Sequence, residues 1–327
     1  MGLAALCIVI FHEWQPVAGA VPVVGIFESF GKKIGFFGVD IFFMLSGLGL
    51  TYAIRKGGLL SFYWRRIKRL LIPVLAVGLL RFFMEDWTLT RLWQDLSGYS
   101  FYTKDIYAFL WFVPAICILY LLFPFYYKLF ERAGDKIAFT TGALALWFWI
   151  SLLGVIRYDA YGFTNRIPIF LIGILIGWMT QHKTVVFKKS TWGCLGFLLV
   201  FGLYLSYLVG VKGAYLIVPA SNCFLPPLLL AVSVSFLFAK LLDRISATRI
   251  GKGIIRFFSF FGLFSLEFYC LQEWLGSLLI PTLQGRMSVI WVNLLTLSAI
   301  TVASFALYLI QKYFWQAAEW GLKKCRR

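Results

Sequence analysis

Apolar residues run along this chain in stretches of near-bilayer length, separated by short polar clusters. Ten such segments stand out, near residues 1–16, 36–54, 70–84, 108–127, 137–155, 166–180, 191–210, 214–238, 257–281 and 288–314. A helix rises about 1.5 Å per residue and the hydrocarbon core is about 30 Å thick, so about 20 apolar residues cross it. The runs are apolar on every face, whereas the strands of a membrane barrel would alternate apolar and polar residues. The pattern predicts an all-α fold: a polytopic transmembrane helical bundle of about ten membrane-spanning helices, in a single domain over residues 1–327. The segments 70–84 and 166–180 are short for a span, so their helices are expected to extend past these bounds.

Composition agrees. Hydrophobic residues make up 61% of the 327 and aromatics 19%, with a mean hydropathy of +0.83. That leaves no stretch for a soluble domain. A net charge of +17 would suit a nucleic-acid partner, but its distribution argues against one. Basic residues gather in alternate loops: Arg55, Lys56, Arg65, Arg66, Lys68 and Arg69; then Lys128, Arg132 and Lys136; then Lys183, Lys188 and Lys189; then Lys240, Arg244, Arg249, Lys252 and Arg256. The opposite loops hold few. By the positive-inside rule the rich loops face the cytoplasm, as does the tail with Lys323, Lys324, Arg326 and Arg327. An even number of spans puts the N-terminus there too. Cys7, Cys117, Cys194, Cys223, Cys270 and Cys325 have no metal or disulfide spacing and read as free thiols.

Candidate chemistry starts with His12, one of two histidines and the one inside an apolar run. An imidazole near lipid is costly unless something requires it, and it is the side chain suited to exchange a proton near neutral pH. Asp40 opens the second segment within Gly38-Val-Asp-Ile-Phe-Phe-Met-Leu-Ser-Gly47. It reads either as an interfacial acid at a helix entry, where the dipole favours it, or as part of a site. Arg66 and Arg69 share a helix face beside Arg65, in Arg65-Arg-Ile-Lys-Arg-Leu-Leu-Ile-Pro73. They read either as a positive-inside anchor or as a phosphate grip. Leu110-Trp-Phe112, Asn165-Arg-Ile-Pro168 and Ser265-Leu-Glu-Phe-Tyr-Cys-Leu-Gln-Glu273 place Trp111, Arg166, Glu267 and Tyr269 in or beside later segments, where each also reads as glue between helices. Gly173-Ile-Leu-Ile-Gly177 is a small-residue pattern that lets a neighbouring helix approach.

The order of these pieces resembles the acyltransferase 3 family, integral-membrane enzymes that acylate sugars of surface polysaccharides. The resemblance covers essentially the whole chain, through Gly2-Leu-Ala-Ala-Leu-Cys-Ile-Val-Ile-Phe-His12, the Gly38-Val-Asp40 element, Arg65 to Arg69 with Pro73, Trp111-Phe112, Arg166-Ile-Pro168 and Ser265 to Tyr269. It implies an O-acyltransferase of a bacterial cytoplasmic membrane. Acetyl-CoA, or another acyl-CoA, would be the donor on the cytoplasmic side, a glycan or lipid-linked sugar the acceptor outside, and no metal would take part. His12 would be base or transient acyl carrier, with Asp40 as its catalytic partner, or Glu13 or Glu267 in the same role. Arg65, Arg66 and Arg69 would hold the donor, and Trp111, Arg166 and Tyr269 would line the acceptor's path.

Three positions depart from the family pattern. The basic residue expected eleven before His12 is Met1, a histidine often found before the Trp-Phe pair is replaced by Phe109-Leu110, and a histidine that often ends the ninth motif is Gln272. The run from Met1 to Trp14 is also only about 21 Å long as a helix. Together these lead to the expectation that the chain lacks a short native N-terminal lead-in. A transporter or flippase of a glycolipid or small solute is the alternative, using the same intramembrane polar residues. Against it stand the absence of an inverted repeat and the expected absence of paired broken helices.

The charge bias makes a prediction about sidedness. In a cysteine-free background, single cysteines near positions 28, 95 and 160 should react with an impermeant maleimide from outside the cell. Those near 57, 133 and 186 should react only once the cytoplasm is opened. The reverse pattern would overturn the orientation.

Overall fold

The computed structural model describes residues 1–17, 22–103, 110–152, 161–182, 188–214, 216 and 221–325. Lys104, Phe109, Arg157, Lys183, Arg326 and Arg327, and the labelling positions 160 and 186, lie outside the described residues, as do the side chains of Cys223, Lys323, Lys324 and Cys325.

Among the described residues the fold is all-helical. The helices are α1 (Gly2–His12), α2 (Pro22–Ile34), α3 (Phe37–Ala53), α4 (Leu59–Met84), α5 (Leu89–Leu96), α6 (Tyr99–Thr103), α7 (Phe112–Arg132) and α8 (Lys136–Leu152). They continue as α9 (Tyr161–Thr164), α10 (Ile167–Gln181), α11 (Lys189–Gly210), α12 (Ser221–Ile245), α13 (Arg249–Leu263), α14 (Ser265–Leu283) and α15 (Val289–Cys325). Four of them, α7, α11, α12 and α15, are long and apolar enough to cross a bilayer unaided. Two bent pairs raise the number to six: α2 with α3, bent by 44°, and α13 with α14, bent by 73°. Helices α1, α8 and α10 are apolar but shorter.

Each expected segment overlaps a helix among the described residues, with two differences from expectation. The short third segment does extend, since α4 begins at Leu59. The short sixth does not: α10 is a 15-residue helix, bounded by Arg166 as its N-cap and His182 as its C-cap. The ninth segment is not one helix. It breaks at Phe264, where φ is −116° and ψ 27°. The reason lies in α13, which is amphipathic, with exposed Lys252 and Arg256 one turn apart. Such a helix settles along an interface, and the chain must turn before an apolar helix can enter the core. Paired broken helices, expected to be absent, are therefore present at α2–α3 and α13–α14.

Lipid tails are as apolar as leucine, so helices in a bilayer associate by close packing instead of hydrophobic exclusion. The α3–α10 pair does this through glycine. A methyl group at Gly47 would strike the Phe170 carbonyl, one at Gly173 the Met44 carbonyl, and one at Gly177 would meet Thr51 and the Leu48 carbonyl. The neighbour expected for Gly173 and Gly177 is thus α3. The two helices run parallel, from Asp40 beside Arg166 at one end to Tyr52 beside Thr180 at the other. Helix α1 lies antiparallel on α3, with Gly38 against the Ala4 carbonyl and Gly35 against Cys7. Phenylalanines fill the remaining centre: Phe43, Phe62, Phe123, Phe130, Phe264 and Phe268 are all fully buried. Cys7, Cys117, Cys194 and Cys270 are free thiols.

Gly173→Val should destabilise the protein by about 1–3 kcal/mol, the usual effect of overpacking a tight contact. The same change at Gly142, where an added methyl meets open space, should have little effect on the thermal unfolding midpoint. Equal shifts at both positions would mean that the α3–α10 contact is not the tight one.

Candidate functional site

The site has two centres, one at each end of α1. The first is a cavity of about 380 Å³ at the break between α13 and α14. Its walls include Ser46 of α3, Arg69 of α4, Phe112 and Tyr120 of α7, Ser265 and Tyr269 of α14, and the side chain of Met1. Residues on both sides of the break at Phe264, Leu263 before it and Ser265 after it, line this space.

Arg69 is the cation of the cavity wall. Its guanidinium grips Glu267 with both ends, Nη1 to Oε1 at 2.8 Å and Nη2 to Oε2 at 3.2 Å. Glu267 is fully buried, while the Arg69 side chain keeps 36% of its exposure. Guanidinium carries five N–H donors, so this pair leaves donors free to face the cavity. Arg66, one turn earlier, lies over the rings of Phe62 and Tyr120, at 5.6 and 5.7 Å. Tyr120, under the Arg66 guanidinium, lines the cavity together with Ser46 and Arg69. Arg66 and Arg69 are one turn apart on α4, but only Arg69 lines the cavity, while Arg66 packs on the aromatic rings beside it. Arg65 points elsewhere. It donates to Ser61 Oγ at 2.6 Å and to the Ala53 carbonyl at 3.0 Å, closing the turn between α3 and α4.

Tyr269 accepts a hydrogen bond from the backbone N–H of Phe112 at 3.3 Å. That N–H belongs to the first turn of α7 and has no partner inside the helix. Its phenolic hydrogen remains available to a ligand. Trp111, the N-cap residue of α7, is half-buried; Phe112 beside it forms the cavity wall instead. Leu110 takes a φ of +59° while buried, a strained conformation for a branched residue.

The second centre surrounds His12, the exposed last residue of α1. The charged groups that act on its imidazole are Glu273 of α14 and Lys32 of α2. Asp40 is not among them. It is 1% exposed and pairs with Arg166, Nη1 to Oδ1 at 3.2 Å. Ala4 lies against Gly38, and from that level His12 and Asp40 run in opposite directions, ending about 15 Å apart along the helix axes. Asp40 thus does not orient His12, and Arg166 is its counterion. Of the other candidates for that role, Glu267 pairs with Arg69 at the cavity. Glu13 is buried, its carboxylate packed on Gly276 of α14.

The loop after His12 is held by groups the sequence pattern did not single out. Asn293 of α15 takes the Gln15 backbone at two points, accepting from its N–H at 2.9 Å and donating to its carbonyl at 2.7 Å. Glu28 accepts from the Trp14 indole and the Val17 N–H, and Lys32 donates to the Trp14 carbonyl at 2.7 Å. His182, the other histidine, stacks on Trp178 at 4.4 Å and bonds its carbonyl. Among the described residues no group of three or more His, Cys, Asp and Glu is placed to hold a metal ion.

Several helices long and apolar enough to cross a bilayer, tied together by guanidinium–carboxylate pairs, define a multi-pass membrane protein. The particular chemistry follows from comparison. A family model described as an acyltransferase domain, acyltransferase 3, matches residues 2–310, and the chain belongs to that family. It is an acyltransferase. No curated protein and no solved structure matches it.

The Arg69–Glu267 pair separates stability from activity. Glu267→Met alone leaves a cation facing an apolar wall and should cost about 1–3 kcal/mol, less than a fully buried pair because Arg69 is partly open to the cavity. Arg69→Met with Glu267→Met should recover most of that loss, since apolar replacement of both partners is often neutral. Acyl transfer should stay lost in the double variant. Recovery of transfer along with stability would make the pair structural only.

Proposed function

We propose that this acyltransferase takes its acyl group from acetyl-CoA and passes it to a hydroxyl of a cell-surface or lipid-linked glycan. In this reading the chain crosses a bacterial cytoplasmic membrane ten times, with both termini in the cytoplasm. The observation that carries it is the pairing of a largely apolar cavity, with Arg69 in its wall, at one end of α1 with His12 at the other. Eleven residues of helix separate Met1, in the cavity wall, from His12, or about 16 Å. A donor with a phosphorylated end and a long flexible arm fits that layout. The parallel course of α3 and α10 also supports the ten-span path, in which the second and sixth spans run the same way.

The chemistry follows from the side chains. Arg69 and Arg66 hold the donor's anionic end, Arg69 offering the N–H groups that Glu267 leaves free. At His12 the imidazole takes the proton of the sugar hydroxyl. The oxygen's electron pair forms a bond to the thioester carbonyl carbon, and the C–S bond breaks. The leaving thiolate takes the proton back from the imidazolium. Glu273 steadies the imidazolium charge in between, the role first looked for at Asp40. A variant of the same scheme has His12 carry the acyl group before the sugar attacks.

The test is release of free CoA by purified protein offered acyl-CoA with and without glycan acceptors. His12→Ala should lower turnover by about 10²–10⁴-fold while the unfolding midpoint stays near that of the parent. Arg69→Ala and Arg66→Ala should raise the KM for acyl-CoA more than that for the acceptor. A His12→Ala protein that keeps most of its turnover would remove His12 from the mechanism. Acceptor-independent CoA release would remove the glycan.

A further inference from the structure

Pro73 sits inside α4, four residues after Arg69. Proline has no N–H, so the Arg69 carbonyl loses its helical partner. On a soluble protein water would take that carbonyl. In a bilayer the protein must supply the donor.

The donor comes from α15. Gln311 Nε2 is shared between the Lys68 and Arg69 carbonyls, at 3.4 Å from each, and Trp315 Nε1 donates to the Lys68 carbonyl at 3.1 Å. Gln311 is 7% exposed, and its own Oε1 has no hydrogen-bond partner among the described residues. Burying an amide with its carbonyl unmatched is unfavourable, and an apolar side chain would pack there without that penalty. What the position supplies is therefore the N–H. Lys68 adds to the grip: its ammonium lies over the rings of Trp64 and Trp315 and reaches Glu319 at 2.5 Å.

We propose that Gln311, with Trp315 beside it, is a positioning residue for Arg69. It takes over the carbonyl that Pro73 frees, and so sets the height and rotation at which the Arg69 guanidinium enters the cavity wall. The proposal rests on the reading of Arg69 as a donor-binding group. A freed carbonyl without a partner would let α4 flex at the proline, and a shift of about 1 Å in a positioning group is enough to slow a reaction by about 10²-fold.

Pro73→Ala provides the test, because it restores an N–H at position 73 and makes the Arg69 carbonyl independent of α15. Four full-length proteins are compared: parent, Gln311→Met, Pro73→Ala and the double variant. The measurements are KM for acyl-CoA, KM for the acceptor, turnover and the thermal unfolding midpoint. In the parent background Gln311→Met should raise the donor KM about tenfold and leave the acceptor KM within about twofold. In the Pro73→Ala background the same change should move the donor KM less than about twofold. If Gln311→Met fails to fold in the parent, folding in the Pro73→Ala background is the expected rescue. Equal effects in both backgrounds, failure to fold in both, or no effect in the parent would overturn the proposal. Arg69→Met, run alongside, separates the two ideas. If it leaves the donor KM unchanged, Arg69 does not bind donor. The unfolding midpoints still report whether Gln311 depends on Pro73.

Discussion

A charge buried among lipid-facing helices has no water to satisfy it, and most of the organisation of this protein follows from that constraint. Two carboxylates, Asp40 and Glu267, are almost wholly buried, and each meets an arginine from a distant part of the chain. Asp40 with Arg166 ties the start of α3 to the start of α10. Glu267 with Arg69 ties α14 to the middle of α4. Leaving either carboxylate unmatched in a medium of low dielectric would cost several kcal/mol. The alternatives to the observed packing are thus penalised strongly even though each pair adds little net stability. The pairs select an arrangement. Close helix packing then supplies the cohesion.

That cohesion depends on small residues placed where helix backbones meet. Gly47 and Gly173 bring α3 and α10 together, and Gly2 brings α1 against α13 at the Phe258 carbonyl. The consequence for the site is direct. A larger residue at Gly2 would push the start of α1 away from the α13–α14 break, and Met1 stands in the wall of the cavity that opens there. Packing and chemistry therefore share one set of contacts.

The sequence pattern revealed which polar residues were expensive, but not what they met. His12, Asp40, Arg69, Arg166, Glu267 and Tyr269 all stood out as polar groups in or beside apolar runs, and all take part in the geometry described above. Their pairings did not follow, because Arg69 and Glu267 are 198 residues apart and Asp40 and Arg166 are 126 apart. Periodicity records which face a residue occupies, never which distant helix covers it. Asp40 was accordingly matched with His12, which precedes it closely in sequence but lies at a different depth. Glu273 carries no local signal that sets it apart from Glu267 in the same motif. The break at Phe264 was hidden by averaging, since the basic face of α13 is diluted in a window that also spans α14. Pro73 leaves the Arg69 carbonyl in need of an outside donor. Nothing local could say that Gln311 would provide it.

Helix α1 brings these threads together, because it is the rod between the two centres. Its length is set by eleven residues of regular helix, and its sides are fixed by backbone contacts with α3 and α13. The far end is fixed just as firmly. Asn293 grips the Gln15 backbone by both its N–H and its carbonyl, and Glu28 and Lys32 hold the residues on either side. Such contacts do not depend on the side chain at position 15; they fix where the main chain runs. The proposed reaction, with its donor gripped at the cavity and its proton moving at His12, requires a constant span between the two, since the advantage of a prearranged reactant falls steeply with misplacement. A flexible connection would vary that span with every motion of the loop. A short helix anchored at both ends holds it, and this accounts for backbone-directed polar contacts being concentrated just beyond His12.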